Sequence, residues 1–426
     1  MLSIRSCMAR IAVSGVLCLS ITLGTIVSAE EPAAVPPAPE TESGLTLEVL
    51  TSIAESTSPN LTQAAADVQA ARGRAHQVGL YPNPVGSGGA MQLGGRDSQY
   101  FVQLSQEIVT KHKLQLSEAA ACREVFQAEY RFVRTRFDLL TAVRQGYYAA
   151  LAGQKRVDIL RQLVGIATKS QTAATRLKDA GEGTRSDSLL FQIELEKAEV
   201  AFQNAEAVLA AALRQLTATL GAPEMELDRV EGDLRISLVP FAEQVVVDGY
   251  IPYNADVSVA EQEVDRNRLL LKRAEVEPFP NITVNAGYMR QFVAIENIAI
   301  INLSAPLPLW NKNQGNINAA VANVTKASAN VATVRNTIAK QMADARGRYR
   351  AADQLVVRYE EKIIPLARES VKVIQEAFDQ GQFDFLRLLQ AQRALVESQL
   401  GYISALETRW TTAAELGGLA QVEAFP

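Results

Sequence analysis

The chain has 426 residues, 48% of them hydrophobic and 21% charged, with a net charge of −5. That size supports a substantial core, and the balance excludes a disordered tail or a generally basic nucleic-acid binder. Three Cys exclude a disulfide scaffold, and two His, His76 and His112, remove most zinc and His-based catalytic schemes.

The first 29 residues have the three parts of a secretory signal: Arg5 and Arg10, an apolar run from Ile11 to Val27, and Val27-Ser28-Ala29 as a small-residue cleavage site. Cleavage there removes Cys7 and Cys18 and leaves Cys122 alone. A lipid-anchored Cys18 is the competing outcome. Residues 30–44 carry four Pro and read as an extended linker. No later run is long and apolar enough for a transmembrane helix.

From Leu45 onward the chain states one order twice. Tyr81-Pro82-Asn83-Pro84 recurs as Pro278-Phe279-Pro280-Asn281, and Gly181-Glu182-Gly183-Thr184 recurs at Gly381-Gln382-Phe383-Asp384. The offsets are 198 and 200 residues, so a duplicated unit is expected, over 45–246 and 247–426. Each unit holds a helix, a Pro-Asn break, two strands, a very long helix, a Gly turn and a second long helix.

In unit one the spacing predicts a helix over Leu45–Gly79, strands over Val85–Leu93 and Gln99–Ile108, and a helix over Lys111–Asp179. In unit two it predicts a helix over Ala255–Val276, strands over Ile282–Phe292 and Ala294–Ala305, and a helix over Asn313–Gln380. Tyr100, Val102 and Leu104 alternate with Phe101, Gln103 and Ser105, as a strand between two environments requires. Ile317, Val321, Val324, Val331, Ile338 and Met342 keep coiled-coil spacing, as do Phe385, Leu389, Val396, Ile403, Leu406 and Trp410 beyond the second Gly turn. A continuous helix of either length reaches roughly 100 Å.

Strands of about ten amphipathic residues suit a membrane barrel, but four cannot close one, since about eight is the minimum. Three copies would supply twelve. The expected fold is therefore mainly α, with long antiparallel hairpins forming a coiled-coil barrel and four strands per chain joining a shared trimeric β-barrel. As general priors, a lone strand pair belongs more often to a soluble hairpin and a heptad stripe to an ordinary seam. Duplication behind a secretory signal shifts the balance here.

The chain resembles the outer-membrane efflux protein family, the TolC-type channels, over essentially its mature length. Its most specific segment is Ala305-Pro306-Leu307-Pro308-Leu309-Trp310-Asn311-Lys312-Asn313-Gln314-Gly315-Asn316-Ile317, similar to the branch tied to cobalt–zinc–cadmium efflux. Leu104 to Ile108, followed by Lys111 and Lys113, resembles the looser counterpart in the first unit, and Gly181, Asp187 and Leu189 fit the hairpin pattern. The resemblance implies a homotrimer in the outer-membrane lipid with helices in the periplasm. It implies a passive exit duct, with no cofactor and no enzymatic activity, served by a periplasmic adaptor and a proton-driven inner-membrane pump. The cargo implied is heavy-metal cations; the alternatives are drugs, dyes or secreted proteins, or a non-pore periplasmic coiled-coil scaffold. Adaptor docking falls on the tips Gly181, Glu182, Gly183, Thr184, Gly381 and Gln382.

One feature departs from the family. Some members narrow the periplasmic end with Asp six and nine positions after the second tip Gly; here those positions are Arg387 and Gln390. The candidate constriction residues are thus Asp187, Asp384, Arg387 and Gln390. Arg387 either faces the pore or pairs with Asp384 or Asp187 at the surface. His76 and His112 are expected to be solvated helix residues, and Cys122 a small residue in a helix seam. Gly86-Ser87-Gly88-Gly89 lacks the context of a nucleotide loop and is expected to permit strand curvature.

Overall fold

The computed structural model describes residues 45–91, 98–181, 183–235, 251–292, 296–380, 385–423 and 425. The expected signal sequence and Pro-rich linker, and tip residues Glu182, Gly381, Gln382 and Asp384, lie outside them.

The first helical stretch is two helices, α1 (Leu47–Thr57) and α2 (Pro59–Gly79), rather than one. Pro59 has no N–H to donate and disfavours the helical region for the residue before it, so Ser58 is extended at φ −62°, ψ 118°. Pro59 then suits the first position of α2. This break docks on the end of a later helix: Thr57 Oγ1 donates to the Leu220 carbonyl at 2.6 Å. Gly221 turns there at φ +79°, where a Cβ would stand 2.9 Å from both Pro59 Cδ and the Thr57 carbonyl oxygen.

Strands β1 (Val85–Met91) and β2 (Gln99–Ile108) lead into α3 (Lys113–Asp179), 67 residues without a Pro. α3 starts two residues later than its sequence pattern suggests because Lys111 and His112 turn through left-handed backbone, φ 57° and 58°. At the far end Gly181 takes φ +79°, and Gly183 N donates to the Leu177 carbonyl, closing the helix. The chain returns as α4 (Arg185–Leu220). The second half runs α5 (Ala255–Val276), β3 (Ile282–Gln291), β4 (Glu296–Ser304), α6 (Gln314–Arg358), α7 (Ile364–Asp379) and α8 (Phe385–Ala420).

Between α6 and α7, a single continuous helix was the expectation. Instead Tyr359–Ile363 forms a π-turn, in which Ile364 N donates to the Tyr359 carbonyl five residues back. Pro365 explains it: its ring crowds the preceding turn and it offers no N–H, so the ladder widens just upstream. Opposite the π-turn lies Gly401, where a Cβ would stand 2.5 Å from the Tyr359 hydroxyl.

The core lies at mid-length, where α1, α3, α4, α6 and α8 converge. Trp410 is fully buried and stacks on Tyr148 with ring centroids 4.2 Å apart and planes at 14°. Burial pushes the Tyr148 phenol well above its ordinary range. A strap after α4 crosses this core. Its Val230 and Leu234 are buried, and the Leu234 carbonyl accepts from Trp410 Nε1 at 2.8 Å. Tyr147 donates its hydroxyl to the Glu231 carbonyl. After α8, Gln421 Oε1 accepts from Ala255 N at 3.0 Å and Glu423 pairs with Arg136 at 2.7 Å, tying the end of α8 to α5 and α3.

The α6 seam is buried over Ile338, Met342, Ala345, Tyr349, Ala352 and Val356, whereas Val321 is 49% exposed. The α8 stripe buries Leu389, Val396, Ile403, Leu406 and Trp410. Among the described residues, no helix is long and apolar enough to cross a membrane.

Candidate functional site

The four strands form one antiparallel sheet in the order β1-β2-β3-β4. Register decides what each face carries. Leu104 pairs with Ala286 and Ala286 with Ile301; Val102 pairs with Tyr288 and Tyr288 with Ala299. These residues therefore share a face, joined by Val284, Leu303, Ile108 and Ile282. That face is mainly apolar and open, with Gln106 near its helix end and Arg290 and Asn297 near its far end: Val102 is 69%, Ile301 76% and Leu303 72% exposed. The opposite face carries Gln103, Ser105, Asn285, Gln291 and Asn302 beside Phe101, Met289, Ile298 and Ile300, so it is mixed and the more polar of the two. Apolar outside and polar inside is the signature of a barrel wall between lipid and water. On the apolar face β1 contributes only Gly86, Gly88 and Ala90, and Gly89 on the other face meets the Phe101 ring. The first and last strands each keep an open edge within this chain.

Where the sheet meets the helices, the duplicated Pro-Asn breaks knit the junction. Tyr81 Oη accepts from Val109 N at 3.1 Å, and Gln106 Nε2 donates to the Pro82 carbonyl at 3.1 Å. In the second half Asn281 Oδ1 accepts from Thr110 N at 3.2 Å, and Thr110 Oγ1 donates to the Pro280 carbonyl at 2.9 Å. Lys113 is buried, and its ammonium donates to the carbonyls of Phe279 at 2.6 Å and Glu277 at 3.3 Å. Burial first, and Arg273 second, hold its pKa below the ordinary lysine value. Asn313 turns through φ 60° and donates to the Ala274 carbonyl at 2.8 Å. Asn tolerates that left-handed turn, which gives the Asn-Lys-Asn-Gln run a backbone role.

At the other end the two hairpins come together. Ala174, Phe191 and Leu389 form one buried cluster, and Arg393 pairs with Glu194 at 3.0 Å across from α8 to α4. Gly181, Gly183 and Thr184 close the first tip. Arg387 and Gln390 are exposed in the opening turns of α8. Asp187 lies at the start of α4. Asp384, one of the partners expected for Arg387, lies outside the described residues.

His76 is exposed on α2. His112 is exposed too, but it precedes α3 in left-handed backbone instead of riding on the helix. Cys122 is half-buried on α3. Among the described residues, no group of three or more His, Cys, Asp or Glu is placed to hold a metal ion.

Sequence reasoning missed one surface. α4 buries Phe191, Ala198, Ala205 and Leu213 against the chain, yet Leu189, Ile193, Val200 and Val208 form a second apolar stripe, each about half exposed. On the other flank Leu366 and Val373 of α7 are 65% and 55% exposed. The signal was available: α4 is apolar on two sides, and a helix apolar over so wide an arc has two partners.

The model of the family described as "Outer membrane efflux protein" matches residues 50–222 and 251–420. The chain belongs to the outer membrane efflux protein family. The family membership makes it an outer-membrane efflux component, and the sheet its membrane part. Among curated relatives, the cobalt-zinc-cadmium resistance protein CzcC of Cupriavidus metallidurans is 26% identical over 375 residues, 87% of this chain and 89% of that one. The nickel-cobalt-cadmium resistance protein NccC of Alcaligenes xylosoxydans xylosoxydans is 26% identical over 333 residues, 75% and 71% of the two. Among solved structures, CusC shares the fold with a TM-score of 0.75 at 17% identity, over 88% of this chain and 91% of that one.

Proposed function

We propose that three copies of this chain form the passive outer-membrane duct of a three-part export system for heavy-metal cations. The observation that carries this reading is the sheet, with one mainly apolar, exposed face and two open edges. Open edges cannot face lipid, so each must pair with another copy, and three copies give the twelve strands that a barrel of this kind requires. The exposed stripes on α4 and on α7 lie on helices at opposite flanks of the chain, as a head-to-tail ring interface requires. The two matched family segments support reading 45–246 and 247–426 as duplicated halves, so six units surround one axis.

The helices extend into the periplasm, and the tips Gly181, Glu182, Gly183, Thr184, Gly381 and Gln382 receive a periplasmic adaptor. An inner-membrane pump supplies the energy, and the duct itself catalyses nothing. The metal cargo is supported by the names of the two curated relatives. Deleting the gene is expected to sensitise cells selectively to zinc, cobalt or cadmium salts. Sensitivity confined to dyes and antibiotics would keep the duct and overturn the metal cargo.

At the tips a threefold ring of Arg387 would set ion preference, with Asp187, Asp384 and Gln390 as the other ring candidates. Arg387→Asp is then expected to shift the reversal potential of the reconstituted pore toward cation selectivity. An unchanged reversal potential removes Arg387 from the pore.

A further inference from the structure

The sheet ends on its helix side at Val85, Ile108, Ile282 and Ser304. Just beyond that level stand large side chains that are half or more exposed. Leu307, Leu309 and Trp310 are 75%, 64% and 87% exposed. Tyr81 and Phe279, from the two Pro-Asn breaks, are 53% and 49% exposed at the same level. Two cations accompany them: Lys111, with its ammonium 4.5 Å from the Phe279 ring centroid, and Lys312.

The Leu307–Gln314 segment is held in shape by local hydrogen bonds of its own backbone and side chains. Leu309 N donates to the Leu307 carbonyl at 2.9 Å, and Asn313 N to Asn311 Oδ1 at 2.9 Å. Lys312 N donates to Gln314 Oε1 at 2.9 Å. The turn therefore presents Trp310 without needing a partner to order it. It is also continuous with the apolar sheet face, whose β4 residues Ile301 and Leu303 lead directly into it.

We propose that this collar is an interfacial anchor for phospholipid: Trp310, Tyr81 and Phe279 sit at headgroup depth in the periplasm-facing leaflet, and Lys111 and Lys312 meet its phosphates. The proposal rests on the membrane reading of the sheet given above. Three features select lipid as the occupant. The patch continues a lipid-facing surface. An indole combines an apolar body with an N–H that favours the membrane–water boundary. The flanking charges are positive, complementary to phosphate. The Pro-Leu-Pro-Leu-Trp run thus sets the height of the barrel in the bilayer and is not a contact for cargo.

The two Trp of the chain make the test direct, because Trp410 is fully buried and serves as a constant background. The full chain is reconstituted into vesicles of phosphatidylethanolamine and phosphatidylglycerol, with bromine placed either high or deep on the acyl chains. High bromines are expected to remove about half of the Trp emission, and deep ones much less, since an interfacial indole sits near the headgroups. Trp310→Phe should lose almost none, and at 87% exposure this change leaves the fold intact. Quenching by aqueous acrylamide without bromolipid quenching would put Trp310 in the lumen. Quenching by neither would mean that a neighbouring copy covers it. Either result overturns the anchor while the protein still floats with the vesicles. Failure to float would remove the membrane reading and the anchor together.

Discussion

Trp410→Ala is expected to cost about 4 kcal/mol, the scale for truncating a large core aromatic. Trp410 is fully buried, and its indole does three things at once. It stacks on Tyr148, it lies edge-on to Phe425 with centroids 6.3 Å apart, and it donates to the strap through the Leu234 carbonyl. Its removal leaves a cavity at mid-length, and the buried Leu234 carbonyl keeps only the longer bond from Arg409 Nη2, at 3.3 Å. The strap then loses the shorter of its two hydrogen bonds to α8. Thermal unfolding in detergent, followed by circular dichroism, should show a large drop in midpoint, with less protein reaching the outer membrane. Trp410→Phe should recover much of the packing but not the hydrogen bond. A midpoint unchanged by Trp410→Ala would mean that this core does not limit stability.

Neighbouring residues on β4 test the sheet. Ile301→Lys is expected to cost about 3 kcal/mol per chain, because it places an ammonium on the lipid face well inside the strand. Asn302→Lys, one residue on, pairs opposite Asn285 on the polar face and should be tolerated. The amount of each variant in the outer-membrane fraction separates the two. Asn302→Lys should instead alter single-channel conductance. Equal recovery of both would show that the apolar face does not meet lipid.

The fold was legible where a single periodicity ruled. Strand β2 and helix α5 fall on the residues that their alternation and spacing indicated, because each faces two distinct environments along its whole length. Helices were expected to run through both Pro59 and Pro365, and the form each interruption takes depends on context. Pro59 splits a helix outright, whereas Pro365 only widens a turn, because the widened ladder there is still capped by Ile364. The strap was not legible, since its buried Val230 and Leu234 are spaced by neither 2 nor 3.6 and are fixed by contacts with distant Tyr147 and Trp410. At the candidate site, Gly181 was readable as a left-handed turn. The outward stripe of α4 was present as apolar residues on a second side of the helix, but what covers it lies outside a single chain. The buried role of Lys113 was hidden as well: a lysine in a basic run reads as surface, and only two carbonyls more than 160 residues away draw it in.

The two hairpins differ in one respect that bears on the assembled duct. α3 rises 67 residues as one rod, while its counterpart is interrupted by the π-turn at Tyr359–Ile363. In a ring of six such hairpins, stiff and jointed staves alternate. The joint's own Tyr359 packs on the bare backbone of Gly401, a fit that any side chain there would block. The interruption therefore recurs at one latitude of every second stave, three times around the duct.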